Sequence, residues 1–123
     1  MATLKAQPIL ALDVPSLDAA RALLDRVGPA ADFVKIGLEL YTAEGPRVVE
    51  WMQANGRRVF LDLKLHDIPN TVRGAAASAR GMGVALLTVH GYGGAAMVEA
   101  AVEGAGAATR ILVVTVLTSF DRA

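Results

Sequence analysis

The chain has 123 residues, of which 54% are hydrophobic and 20% charged, with 12 basic residues balanced by 12 acidic ones. That is enough apolar material for one folded domain and too hydrophobic a composition for a disordered chain. A formal net charge of zero lacks the basic excess of a nucleic-acid binder, and the absence of cysteine excludes disulfides and thiolate metal sites.

The opening residues lack the long apolar core of a signal peptide. No apolar run reaches the roughly 18 residues of a membrane span. A soluble cytoplasmic protein, with no membrane or nucleic-acid partner, is expected. Residues 8–14 (PILALDV) form an almost wholly apolar run that contains Asp13 and predicts a strand buried on both faces. Ser16 is a candidate helix N-cap with Asp18 in the first turn. Leu17, Ala20, Leu24 and Val27 recur at helical spacing until Gly28-Pro29 stops the helix. Residues 32–37 predict a second strand, with Lys35 inside an apolar run. A loop through Tyr41 and Thr42 is expected to lead to Gly45-Pro46 and a second helix. Val48, Trp51 and Met52 supply its buried face, and Asn55-Gly56 ends it.

Residues 58–64 predict the third strand, and Pro69 suits the first turn of the helix that follows, up to about Arg80. Val72, Ala75, Ala76 and Ala79 give that helix a thin apolar stripe that allows close packing. Strand four is expected over 84–90, a glycine turn over 91–94, helix four over 95–103 closed by Gly104 and Gly106, and strand five over 111–117. Apolar strands alternating with helices at a period of roughly 25 residues indicate an α/β fold with a parallel sheet. The order fits the first five strands and four helices of a (β/α)8 TIM barrel, as a single partial domain over residues 1–123. A doubly wound open sheet has the same element order and stays open as the alternative.

The polar residues gather where strands end. Asp13 closes the first strand, Lys35 lies near the end of the second, and Asp62 and Lys64 end the third, with Asp67 just beyond. His90 ends the fourth, and Thr118-Ser119 follows the fifth. In α/β barrels the active site lies at that end of the strands. On the third strand, alternation puts Val59, Leu61 and Leu63 on one face and Phe60, Asp62 and Lys64 on the other. Opposite charges inside an apolar strand are costly unless paired or functional. A lysine beside two carboxylates keeps its proton, which suits it to donate a proton or to stabilise a carbanion. Asp62, Lys64 and Asp67 are expected to titrate as one coupled group. Two other uses of these residues remain: hard oxygen ligands for Mg²⁺, or an ion pair that only fixes the strand end. Neither histidine has a partner at metal-ligand spacing. Gly91-x-Gly93-x-x-Ala96 stands in the strand-to-helix context of a dinucleotide fingerprint. That fingerprint normally belongs to a first strand, which weakens a nicotinamide-dependent reading.

With these residues in view, the chain resembles the orotidine 5'-phosphate decarboxylases. The resemblance rests on ALDV at 11–14, VKIGLELY at 34–41, FLDLKLHDIPNTV at 60–72, VH-x-x-GG at 89–94 and VTVLTS at 114–119. It implies a TIM-barrel homodimer that converts orotidine 5'-phosphate to UMP and CO2 in pyrimidine synthesis, with no metal or organic cofactor. Lys64 would protonate C6, and Asp62 would lie near the substrate carboxylate and hold Lys64. Asp67 and Thr71 would reach into the partner subunit's site, Asp13 and Lys35 would bind the ribose hydroxyls, and Thr118 or Ser119 would contact the pyrimidine. The family's phosphate-gripping Gln and Arg lie on later strands and loops, so this stretch alone is expected to have little or no activity. Two competing functions stand beside this: a Mg²⁺-dependent sugar-phosphate lyase or decarboxylase of the same suprafamily, and a non-catalytic half-barrel that assembles with a complementing fragment or with itself.

Overall fold

Residues 5–121 are described by a computed structural model. In chain order the elements are β1 (Leu10–Ala11), α1 (Leu17–Val27), β2 (Phe33–Gly37), α2 (Leu38–Glu44), α3 (Arg47–Ala54), β3 (Arg58–Leu65), α4 (Pro69–Gly81), β4 (Leu86–His90), α5 (Ala95–Ala105) and β5 (Arg110–Val114). A single 3-10 turn, Gly91–Gly93, joins β4 to α5. These residues form two compact units that divide between Val59 and Phe60.

In the first unit β1 runs parallel to β2, with Leu10 opposite Val34 and Ala11 opposite Lys35. The strand is shorter than the apolar run predicts. Leu12 still donates its N–H to the Lys35 carbonyl at 3.0 Å, but the chain then bends at Pro15 and Ser16 into α1. Ser16 caps that helix from an extended backbone, its Oγ accepting from the Ala19 N–H at 3.1 Å. Leu17, Ala20 and Leu24 are buried as the spacing predicts. Residues 38–44, expected as a loop, are helical, so the described residues hold five α-helices rather than four. This helix has seven residues and buries only Leu40, so it leaves no apolar period to read. Trp51 is a second difference. It is half-buried on α3, beneath the Arg21 guanidinium at 4.9 Å from its ring centroid, while Val48, Val49 and Met52 take the core.

Glu44 ties three of these elements together. Its Oε1 accepts from the Leu17 N–H at the start of α1 (3.1 Å), and its Oε2 pairs with the Arg47 guanidinium of α3. The Leu17 N–H bond first, and the arginine second, hold the Glu44 carboxyl below the ordinary glutamate range.

In the second unit β3, β4 and β5 are parallel and in that order. β4 and β5 pair one for one from Leu86 opposite Arg110 to His90 opposite Val114. The fifth strand therefore stops with its partner, three residues short of the predicted end. Val72 of α4, Val89 of β4, and Met97 and Ala101 of α5 form a buried cluster, against which Leu65 and Ile111 pack. The alanine stripe on α4 buries Val72, Ala76 and Ala79 and lets α5 approach closely. Gly104 lies inside α5 and does not end it. A Cβ there would fall 2.2 Å from the Arg73 carbonyl oxygen of α4. The stop is Gly106, with φ at +61°.

Two stability predictions follow from this packing. Gly104→Ala should destabilise the protein by about 1–3 kcal/mol through overpacking. Gly74→Ala, in α4 with open space at its Cβ, should stabilise it by roughly 0.5–1 kcal/mol. Urea midpoints would measure both, and equal midpoints would contradict the close approach. For Glu44 the folded pKa is depressed, so its contribution is present above the unfolded pKa and lost as pH falls through the folded one. Glu44→Gln should thus lower the melting temperature at neutral pH, and the deficit should vanish in acid below that window.

Candidate functional site

The third strand carries two charges into the second unit, and the backbone around them is irregular. Leu61 pairs with Leu87 and Leu65 pairs with Val89. Asp62, Leu63 and Lys64 therefore stand opposite one residue of β4, Thr88. The mismatch is taken up at Lys64, whose φ is +49°. It is the one non-glycine residue with positive φ among the described residues. For a side chain of this size that conformation costs about 1–3 kcal/mol, and strict alternation does not foresee it.

The same bulge brings the charges together. The Lys64 Nζ lies 3.0 Å from both Asp62 Oδ1 and Oδ2. Asp62 is buried, while the Lys64 side chain keeps about a third of its surface exposed (35%). An ammonium has three N–H donors. With two directed at Asp62, a third is free to point into open space. The buried carboxylate is compensated by this cation and by the Thr88 hydroxyl, which donates to Asp62 Oδ1 at 2.8 Å. Thr88 was not foreseen as a site residue. A hydroxyl between two apolar residues of a strand, at 3% exposure, is a weak signal in the sequence because its partners lie 24 and 26 residues away.

Beside Lys64 opens a cavity of about 290 Å³, lined also by His66, Asp67, Thr71 and Val72. Lys64, Asp67 and Thr71 thus share one space, but Asp67 does not join the ion pair. It is exposed, and its Oδ1 accepts from the N–H of Ile68 at 2.6 Å, just before α4. Above the ends of β3 and β4, the His66 and His90 rings stack at 5.5 Å and the His90 and Tyr92 rings at 5.2 Å. The His90 Nδ1 accepts from the Tyr92 N–H at 3.2 Å.

The glycines of the apparent dinucleotide fingerprint have close neighbours within the chain. A Cβ on Gly93 would lie 2.0 Å from the Met97 Sδ, and one on Gly91 would lie 3.1 Å from the Val114 carbonyl oxygen. The first contact is with the flexible end of a side chain that can yield, and the second, with backbone, is tight. In the first unit, Asp13 and Lys35 form an ion pair at 3.0 Å, with Asp13 mostly exposed and Lys35 mostly covered. Thr118 and Ser119 lie in an exposed turn after β5.

The family model for orotidine 5'-phosphate decarboxylase / HUMPS matches residues 6–123. An orotidine 5'-phosphate decarboxylase from Anaeromyxobacter sp. (strain K) is 59% identical over 113 residues, covering 92% of this chain and 50% of the relative. One from Methylobacterium radiotolerans is 56% identical, covering 94% and 49%. The crystal structure of orotidine 5'-phosphate decarboxylase from Lactobacillus acidophilus superposes with a TM-score of 0.83 at 36% identity, over 92% of this chain and 54% of that one. The chain spans about half the length of the curated relatives it matches.

Proposed function

The chain belongs to the orotidine 5'-phosphate decarboxylase / HUMPS family, and on that premise we propose that it supplies the reacting end of a decarboxylase that converts orotidine 5'-phosphate to UMP and CO2. The observation that carries this reading is the Lys64 ammonium, held by both oxygens of buried Asp62 beside an open cavity. In the reaction, the bond from C6 to the carboxylate carbon breaks and its electron pair stays on C6. Lys64 stabilises that carbanion electrostatically and delivers a proton to it from Nζ. Asp62 fixes the donor, and its charge faces the departing carboxylate. Its oxygens are engaged by a cation and a hydroxyl, the arrangement an ammonium acid needs, which favours this chemistry over Mg²⁺ ligation.

The remaining assignments follow the same reading. Asp13 and Lys35 offer an acceptor and a donor side by side, which suits the ribose diol. Asp67 and Thr71 are offered from an exposed segment to the site of a second copy, in a homodimer. Thr118 or Ser119 contacts the pyrimidine from the turn after β5. The reaction requires no metal or organic cofactor, and its setting is pyrimidine synthesis in the cytoplasm. No helix among the described residues is long and apolar enough to cross a membrane.

The test joins this chain to the C-terminal half of the Anaeromyxobacter relative and follows loss of orotidine 5'-phosphate. The chimera should turn over without added metal and keep its activity in a chelator. Lys64→Ala should lower kcat/KM by about 100- to 10,000-fold while UMP binding changes little. Full activity in that variant would overturn the assignment of the proton donor, and chelator-sensitive turnover would favour the Mg²⁺ chemistry. The 123-residue chain by itself should turn over slowly or not at all, because phosphate binding remote from the reacting carbon contributes to transition-state stabilisation.

A further inference from the structure

We propose that Thr88 is a positioning residue that fixes Lys64 at both of its ends. Its Oγ1 accepts from the Lys64 backbone N–H at 2.9 Å and donates to Asp62 Oδ1 at 2.8 Å. The directions are unambiguous, because an amide N–H only donates and a carboxylate only accepts. Asp62 Oδ1 in turn accepts from Lys64 Nζ at 3.0 Å. The three bonds close a ring that starts at the Lys64 backbone and returns at its ammonium.

The ring explains the irregular strand. Three residues, Asp62 to Lys64, face Thr88 alone, so the Lys64 N–H has lost the regular ladder and is satisfied by a side chain. Without that hydroxyl, a partly buried amide would lack a partner and the left-handed conformation at Lys64 would lose its support. An extended Lys64 would re-aim its side chain away from Asp62. Serine keeps all three bonds. Valine keeps the shape and loses two of them.

The catalytic meaning of this clamp rests on the proposed role of Lys64 as proton donor, whereas the clamp itself does not. The two are therefore tested separately. In the 123-residue chain, hydrogen exchange at the Lys64 amide is followed by NMR in the native protein, Thr88→Ser and Thr88→Val. Protection is expected in the first two. In Thr88→Val exchange should be at least about tenfold faster, while the flanking Leu87 and Val89 amides are unchanged. An unprotected Lys64 amide in the native chain would overturn the clamp without any variant, so a misfolded Thr88→Val does not shield it. Equal protection in native and Thr88→Val would overturn it as well.

The kinetic arm uses the chimera with the Anaeromyxobacter half. Thr88→Val should lower kcat by about 10- to 100-fold with KM nearly unchanged, and Thr88→Ser should restore it. A rise in KM with kcat intact would make Thr88 a substrate contact and overturn the positioning role. An inactive native chimera would count against the decarboxylase reading, and the exchange measurement would still decide the clamp.

Discussion

Lys64 is held in a backbone conformation it would not choose, and the site depends on what holds it there. Three residues of β3 are matched against one of β4, and the surplus length becomes a bulge at φ +49°. Bulges of this kind re-aim side chains at strand ends. Here the bulge sets a lysine amine against a buried carboxylate at 3.0 Å and leaves part of the lysine open to a cavity. Strain of about 1–3 kcal/mol persists only where the surroundings over-determine it, and here the Thr88 hydroxyl and the Asp62 carboxylate do so.

That arrangement requires β3 and β4 to be rigidly registered. The helices α4 and α5 pack against them. Val72, Val89, Met97 and Ala101 pack into one cluster with Leu65, the residue just after Lys64. The alanine face of α4 and the bare backbone at Gly104 allow α5 to come close enough to complete it. In the first unit a single carboxylate, Glu44, has a comparable connecting role, since it satisfies the first amide of α1 and pairs with α3 at once. Both units place an ion pair where a strand ends, Asp13 with Lys35 and Asp62 with Lys64. The two pairs divide their exposure in opposite ways, and Asp13 is the more exposed carboxylate. Asp62 is the more buried carboxylate, while its partner Lys64 keeps more of its surface open than Lys35 does.

Most of the helices and strands were legible because their signals are local. Ser16 caps α1 through the neighbouring Ala19 N–H, Pro69 opens α4, and apolar spacing marks the buried faces of both. The misses have equally definite causes. The helix Leu38–Glu44 has one buried residue and hence no periodicity. Gly104 looked like a stop because glycine usually is one near a helix end, whereas its lack of a side chain serves packing against α4. The length of β5 is set by its partner strand rather than by its own apolar run.

The sequence by itself determined the alternation of strands and helices, the placing of Asp62 and Lys64 at one strand end, and the motif that relates the chain to its family. These depend on residue type and spacing over a few positions, which periodicity and capping chemistry translate directly. Only the tertiary structure decided how Lys64 is held. The bulge comes from the register between two strands, Thr88 is brought to Lys64 from 24 residues away, and Asp67 stands apart from the pair because its carboxylate bonds to the next amide. A register and a contact across a strand pair are properties of two segments together, and neither segment alone carries them.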